Sequence, residues 1–132
     1  MDNCIFCKII KGEIPSYKVA ETEEAYAFLD IGPLSPGHTL VLPKKHIANF
    51  FEADPKDLYP VLDLVQKIAA LMKEKLPCDG VNILINNGEA AGQSVHHCHW
   101  HIIPRFAGDG YKFPPAGSLS KEQAEEILGK LK

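Results

Sequence analysis

The sequence predicts an α+β fold built on a five-stranded antiparallel sheet. Five short segments rich in apolar, β-forming residues are separated by polar or Gly- and Pro-rich turns, and one much longer segment has helical periodicity. Strands and helices do not alternate regularly as βαβ units do, which favours an antiparallel sheet. A chain of 132 residues is long enough to bury a core, and we expect it to form one domain.

The first third of the chain combines an ambiguous segment with a hairpin. Residues 4–11 could form a short helix or a buried strand, because the run CIFCKII is too short for its periodicity to decide. Residues 17–21 and 25–30 are predicted strands joined by the polar turn at 22–24. The Pro- and Gly-rich loop IGPLSPGH then leads into a third strand within HTLVLPKKH, which Pro43 ends.

The long central helix is the clearest local prediction. Between Pro55 and Leu76 apolar residues recur at three- and four-residue spacing, which is typical of a helix with one buried face. Asp54 is the expected N-cap, and a proline suits the first turn that follows it. We therefore predict one helix over almost this entire segment.

Two further strands and a second helix complete the fold. Residues 81–86, VNILIN, form a predicted strand, and a Gly-bearing loop connects it to a histidine-rich strand at roughly 96–103. Near the C-terminus, Ser120 and Gln123 have the spacing of a capping box ahead of spaced apolar residues. A terminal helix is the consequence.

Composition and charge argue against several classes of protein. The chain is 45% hydrophobic and 23% charged with a net charge of −3, and its basic residues are scattered apart from Lys44 and Lys45, so nothing indicates a nucleic-acid partner. The N-terminus has an acidic second residue and only a short apolar stretch, unlike a signal peptide, and no apolar run approaches membrane-spanning length. We expect a cytoplasmic protein without a membrane partner, whose four cysteines are thiols or metal ligands.

Four of the six histidines lie in the segment SVHHCHWHIIPR, residues 94–105. On a strand His97, His99 and His101 would share one face, and the residues between them would share the other. Three interpretations are open: polar decoration of an edge strand, a catalytic zinc with an open coordination position, or a division of labour. In the last case one histidine joins a structural metal site while another acts as nucleophile or base.

The pair Cys4 and Cys7 favours the division of labour. A closed structural zinc site needs four sulfur or imidazole ligands, and the two cysteines supply only half of them. His46 and His97 could complete the set. The alternative is that the cysteines are two buried thiols on a short helix.

The loop before the histidines could hold a phosphate. Its sequence GEAAGQS offers two glycines, the side-chain amide of Gln93 and the hydroxyl of Ser94. Such loops can cradle a phosphate with backbone N–H groups. Gly and Ser are common in any strand connection, so the loop gains meaning mainly from the histidines beside it.

The segment GQSVHHCHWHIIPR resembles the histidine-triad (HIT) signature, in which histidines alternate with apolar residues after Gly-Gln-Ser-Val. The segments CIFCKIIKGEIPSYKV, AFLDIGPLSPGHTLVLPKKHI and ILINNGEAAGQS are similar to the matching stretches of the Hint-type branch of this family, and the resemblance covers roughly residues 4–105. It implies a HIT-like α+β fold with one long helix and short terminal helices. It also implies that residues 1–132 form a single HIT domain and that the protein is a homodimer.

The resemblance further implies a hydrolase or transferase that cleaves a substituent from the α-phosphate of a purine nucleotide, as a phosphoramidase does. His99, the middle histidine, would be the nucleophile and would carry a nucleotidyl group before the nucleoside monophosphate is released. His101 would stabilise charge, and Ser94 would guide a proton to the leaving group. His38 or a backbone carbonyl would hold the second nitrogen of His99.

Binding residues follow from the same resemblance. Asp30 would bind the ribose hydroxyls, and apolar residues would form the purine pocket. The nucleotide-binding positions that it implies are Ile5, Phe6, Ile9, Phe28, Asp30, Ile31, Asn86, Gly92, Gln93, Ser94, His99 and His101. Zinc-binding members of the superfamily resemble this chain at Cys4, Cys7, His46 and His97, which implies a structural zinc ion.

Other functions remain open on the same residues. A hydrolase of dinucleoside polyphosphates would differ only in the leaving group. A purine-nucleotide-binding module would show affinity with little turnover. A zinc hydrolase would need an open coordination position on the metal and would lose its activity when the metal is removed.

Overall fold

The computed structural model describes residues 3–132. Residues 1 and 2, which begin the predicted domain and include the acidic second residue, lie outside the described part. The helices and strands within it are α1 (Ile5–Ile10), β1 (Lys18–Glu21), β2 (Ala25–Leu29), β3 (Thr39–Pro43), α2 (Pro55–Lys75), β4 (Gly80–Ile85), β5 (Trp100–Arg105) and α3 (Lys121–Leu131). Short 3-10 turns at Phe50–Glu52 and Glu89–Ala91 lie in the connections.

The five strands form one antiparallel sheet in the order β1-β2-β3-β5-β4. The predicted α+β fold with an antiparallel sheet is therefore confirmed. Strands β2 and β3 are paired in regular register, with Ala27 opposite Val41 and Phe28 opposite Leu40. On the other side of β3, Leu40 is opposite His101 of β5. Phe28 of β2, Leu40 of β3 and His101 of β5 are therefore aligned across the sheet.

Helices cover both faces of the inner strands. The long helix α2 packs on the face where β2 presents Ala25 and Ala27, whose small side chains let the helix approach closely. The opposite face carries Tyr26, Phe28, Leu40 and Leu42 and is covered by Phe6 and Ile9 of α1. Strands β2 and β3 are thus buried on both faces, which explains their nearly continuous apolar sequences.

The structure decides the ambiguous segment and corrects one strand. Residues 5–10 form a helix, with Cys4 as its N-cap. The histidine-rich strand predicted at 96–103 instead begins at Trp100, because the chain bends at residues 95–97. The Cys98 N–H donates to the carbonyl of Ile47 at 2.6 Å, and Ile47 is not part of the sheet. His97 and His99 therefore lie before the strand, on irregular backbone.

The predicted helix caps are confirmed. The Asp54 carboxylate accepts from the Lys56 N–H at the start of α2, and Ser120 and Gln123 form a reciprocal capping box at the start of α3. Helix α3 is amphipathic, but its apolar residues, such as Ile127 and Leu131, remain exposed in the monomer.

Within residues 3–132, none of the helices is both long enough and apolar enough to span a membrane.

Candidate active site and metal centre

A cleft of about 270 Å³ opens on the α1 side of the sheet, beside the start of β5. Its walls are Ile5, Phe6, Ile9, Ile14, Pro15, Ser16, Phe28, Leu29, Asp30, Ile31, Leu40, Ser94, Val95, His99 and His101. All the predicted nucleotide-binding residues are among them except Asn86, Gly92 and Gln93. The cleft is apolar at the α1 end and carries the polar groups at the histidine end, a common arrangement in small-molecule sites.

Sequence reasoning missed several residues of the cleft wall. Leu40 could have been found from strand pairing, since it lies opposite His101 and must share its face of the sheet. Leu29, Val95 and the segment 14–16 carry no periodic signal, because a strand end and two loops bring them to the cleft.

The Gln93 side chain bonds to backbone groups of the protein, whereas a contact with phosphate was expected. Its side-chain carbonyl accepts from the Gly88 N–H at 2.9 Å, and its amide donates to the carbonyls of Ala48 at 2.7 Å and Val95 at 3.1 Å. The side chain is buried, and its amide is used entirely by backbone groups. Gln93 therefore braces the loop instead of offering a free donor to a phosphate.

Asn86 and Gly92 lie against each other at the edge of the same loop. Gly92 has a φ of +97°, which disfavours other residues, and a Cβ added there would lie 3.4 Å from the Asn86 side-chain nitrogen. The loop thus depends on glycine at this position for both its turn and its packing.

His99 has a fixed tautomer. Its Nδ1 lies 2.7 Å from the carbonyl oxygen of His97, and a carbonyl can only accept, so Nδ1 carries the proton. The Nε2 atom therefore keeps its lone pair, on a side chain that lines the cleft. Of the two partners expected for His99, the backbone carbonyl is the correct one.

His38 contacts His101, so its expected contact with His99 is not found. The Leu34 N–H donates to His38 Nδ1 at 3.1 Å, which leaves the proton on His38 Nε2. That Nε2 lies 2.9 Å from His101 Nδ1 and 3.6 Å from the Asp30 carboxylate. His101 Nδ1 accepts, and its own proton is on Nε2. The Leu34 amide thereby fixes the tautomer of His38, and His38 in turn fixes that of His101.

Burial keeps these imidazoles neutral. Desolvation lowers the pKa of His99 and of His38 below the ordinary value of 6.5, although the Asp30 carboxylate opposes it. For His101 desolvation and the neighbouring imidazoles of His99 and His38 lower the pKa to about 4. At neutral pH His99 therefore has an unprotonated Nε2, and the neutral His101 presents its Nε2–H as a hydrogen-bond donor.

A second cluster lies behind the cleft, formed by Cys4, Cys7, His46 and His97. His97 Nδ1 lies 3.4 Å from Cys4 Sγ and 3.6 Å from Cys7 Sγ, and His46 Nδ1 lies 3.4 Å from Cys7 Sγ. Tetrahedral zinc with Zn–S bonds of about 2.3 Å and Zn–N bonds of about 2.0–2.1 Å would separate sulfur from nitrogen by about 3.5 Å. The four side chains fit a closed zinc site.

The orientation of His97 supports the same fit. Its Nε2 donates to the Pro43 carbonyl at 2.7 Å, so Nδ1 presents a lone pair to both sulfurs. His97 is fully buried, with an exposed fraction of 0%. The structure thus brings together all four predicted metal ligands and separates His97 from the cleft.

Cys98 and His96, which neighbour the alternating histidines, take no part in the cleft wall. Cys98 packs in the core on the α2 side, and burial raises the pKa of its thiol to about 11, so it stays protonated. His96 is exposed, 3.9 Å from the Glu89 carboxylate.

Comparison with known proteins gives consistent matches. A family model described as "HIT domain" matches residues 11–108. The adenosine 5'-monophosphoramidase of Schizosaccharomyces pombe is 42% identical over 98% of this chain and 99% of its own length. A HIT family protein from Bacillus subtilis superimposes with a TM-score of 0.89 at 44% identity, covering 98% and 94% of the two chains. A Zn-bound histidine triad family protein from Mycobacterium smegmatis superimposes with a TM-score of 0.81 at 36% identity, covering 98% of this chain and 96% of its own.

The metal cluster predicts a joint loss of zinc and stability. Because a closed zinc site contributes its binding free energy to folding, Cys7→Ser should lower both the zinc content and the melting temperature. Metal analysis and thermal unfolding on the same sample measure the two quantities. Cys78→Ala, which removes a buried thiol outside the cluster, should keep about one zinc per chain. Undiminished zinc in Cys7→Ser, or zinc on His99 and His101, would show that the ligands are wrongly identified.

The depressed pKa of His101 predicts acid sensitivity. Since this pKa is about 4 in the folded protein and 6.5 ordinarily, its contribution to stability is complete above pH 6.5 and is lost as the pH falls toward 4. In urea unfolding, the free energy of unfolding should fall less for His101→Phe than for the wild type between about pH 7 and about pH 5. The fall begins near pH 6.5, about where an unfolded histidine takes up its proton. His96→Asn, at an exposed position, serves as the control and should keep the wild-type pH dependence. Equal acid sensitivity in His101→Phe and wild type would contradict this assignment.

Proposed function

The chain belongs to the HIT domain family, and on this premise we propose that it hydrolyses purine nucleotides substituted on the α-phosphate, in the manner of a phosphoramidase. The product would be a nucleoside monophosphate, and the intermediate a nucleotide bound covalently to His99. The S. pombe relative is named an adenosine 5'-monophosphoramidase, which supports this reaction class.

The tautomer of His99 is the observation that carries the proposal. A neutral imidazole with its proton held on Nδ1 by the His97 carbonyl has its nucleophilic lone pair on Nε2. Burial lowers the pKa of this imidazole, so the lone pair is available at neutral pH. A side chain fixed in this way at the end of an apolar cleft is suited to attack a phosphorus atom.

In the first step His99 Nε2 forms a bond to the α-phosphorus and the phosphorus–nitrogen bond to the leaving amine breaks. His101 donates its Nε2 proton as a hydrogen bond to a non-bridging oxygen, whose charge grows in the transition state. Ser94 is exposed on the cleft wall and guides a proton to the amine. In the second step water attacks the phosphorus and releases one proton to the solvent, the bond to His99 breaks, and the neutral imidazole is free again.

The cleft accommodates the rest of the nucleotide. The apolar walls from Ile5, Phe6 and Phe28 suit a purine ring, while the Asp30 carboxylate suits the ribose hydroxyls. Asn86, Gly92 and Gln93 support the loop that faces the phosphate, Gln93 by holding the backbone. Apolar walls discriminate poorly between purines, so the pocket walls by themselves do not select adenine over guanine.

The cluster of Cys4, Cys7, His46 and His97 would hold one structural zinc ion, and a Zn-bound relative supports this. The ion would supply folding free energy, while the chain's own side chains carry out the reaction. We also propose that residues 1–132 are one domain and that the protein works in the cytoplasm without a nucleic-acid or membrane partner.

We propose a homodimer joined through the β4 edge of the sheet. Strands β1 and β4 are the two edges. The β1 edge has four residues, an irregular register and charges at Lys18 and Glu21, all features that discourage pairing. The β4 edge has six residues, a regular register and no charge, and exposes Ile83. A second copy could pair with it.

Removing the nucleophile should separate binding from chemistry. His99→Ala should reduce turnover of an adenosine phosphoramidate by several orders of magnitude while AMP binding, which depends on the base and ribose contacts, stays nearly intact. His101→Gln should cost about 10²–10³-fold, the typical loss for one oxyanion donor. Exposed His96→Ala should retain wild-type turnover. Steady-state rates and calorimetry with AMP measure the two effects.

Trapping the intermediate tests the same step directly. A labelled phosphoramidate quenched without acid, followed by peptide mapping, should place the nucleotidyl group on His99. Full activity in His99→Ala, or label on Cys98, would refute the mechanism. Faster cleavage of diadenosine polyphosphates would instead indicate a polyphosphate hydrolase, and AMP binding without turnover of either substrate a binding module.

The dimer prediction is tested at the two edges. Sedimentation at micromolar concentration should give a dimer, and Ile83→Glu should shift it toward monomer because a charge at the pairing edge opposes association. Val19→Glu, which places the same charge on the β1 edge, is the matched control and should remain dimeric. A wild-type protein that sediments only as monomer would contradict the proposal.

A further inference from the structure

Helix α1 belongs to the metal cluster and to the cleft at the same time. Cys4 caps the helix and Cys7 lies within it, both in the cluster, while Ile5, Phe6 and Ile9 line the cleft. A helix of six residues is not stable on its own in water, so its position depends on what its side chains contact. Whatever holds the two cysteines also holds one wall of the cleft.

Phe6 is the contact between this wall and the nucleophile. Its ring centroid lies 5.0 Å from that of His99 and 5.5 Å from that of Phe28, both in edge-to-face geometry. Phe6 immediately precedes Cys7, and adjacent α-carbons are held about 3.8 Å apart by the peptide bond. A shift of Cys7 therefore moves the ring that packs against the His99 imidazole.

His97 makes a second connection between the two sites. Its imidazole is in the metal cluster, 3.4 Å from Cys4 Sγ, and its own carbonyl oxygen accepts the Nδ1 proton of His99 at 2.7 Å. The ring of Phe6 packs 6.0 Å from the same imidazole. The metal-ligating end and the nucleophile-orienting end belong to one fully buried residue.

We infer that the Cys4, Cys7, His46 and His97 cluster positions the nucleotide site, so that metal binding and nucleotide binding strengthen each other. This inference deepens the proposed function and rests on it, since it requires a nucleotide in the cleft. Metal bonds would tie α1 to the segment around His97. Helix α1 holds Phe6, and the His97 carbonyl fixes the His99 tautomer. Coupling of this kind is reciprocal and typically amounts to about 5–150-fold in affinity.

Zinc release from the loaded protein tests the coupling. The zinc protein is mixed with an excess of chromogenic chelator, and the rate of zinc loss is recorded with and without saturating AMP. Because differences in affinity for one ligand appear mainly in its dissociation rate, AMP bound in the cleft should slow zinc release from the cluster about tenfold. An unchanged release rate overturns the inference.

Two truncations of the cleft wall distinguish coupling through α1 from a general stabilisation of the fold by bound AMP. Phe6→Ala and Ile31→Ala both remove an apolar side chain of the cleft, but Ile31 belongs to the β2–β3 connection and not to α1. At saturating AMP, zinc release should become insensitive to nucleotide in Phe6→Ala and remain slowed in Ile31→Ala. Equal slowing in both variants overturns the route through α1. Phe6→Leu, which removes the ring but keeps an apolar side chain, gives the same comparison if Phe6→Ala does not fold.

Calorimetry of AMP with the zinc-loaded wild type distinguishes the two levels of the proposal. AMP binding without any effect on zinc release overturns the coupling alone. Absence of AMP binding overturns the proposed function and the coupling with it.

Discussion

The site depends on backbone groups that fix where each buried imidazole carries its proton. The carbonyl of His97 holds the Nδ1 proton of His99, the carbonyl of Pro43 holds the Nε2 proton of His97, and the amide of Leu34 forces the proton of His38 onto Nε2. A carbonyl can only accept and an amide can only donate, so none of these assignments has an alternative. The same residue type thereby presents a free lone pair at His99 Nε2 and at His97 Nδ1, and a donor N–H at His101 Nε2.

The bend at residues 95–97 makes this division possible. On a straight strand His97, His99 and His101 would share one face and compete for one ligand. With the bend, His97 turns toward the cysteines, and only His99 and His101 line the cleft. The helices on both sides of the sheet then bury the imidazoles, and burial lowers the pKa of His101 to about 4. Fold and chemistry are linked at this step, because the covered sheet is what keeps the histidines neutral.

Local features were predictable from sequence, and features fixed by distant contacts were not. The caps at Asp54 and Ser120 act within one helical turn, so the pattern alone locates them. The start of β5 depends on the Cys98 N–H bond to Ile47, 51 residues earlier by their numbers, which no local pattern reveals. Gln93 shows the same limit in the site, since its partners, such as Ala48, lie on another part of the chain. The resemblance identified which residues cluster, but not which hydrogen bond each one makes.

The backbone from Pro43, the last residue of β3, to Ala48 is the frame that holds residues 93–98 in place. The carbonyls of Pro43, Ile47 and Ala48 accept from His97 Nε2, the Cys98 N–H and the Gln93 amide in turn. Each bond uses a backbone carbonyl, which a proline can supply although it lacks an N–H, while the side chain of Ile47 is also buried in the core. His46 lies in the same segment, and its imidazole is in the cluster with Cys4, Cys7 and His97. The frame therefore links this cluster to the residues that precede β5, including His99.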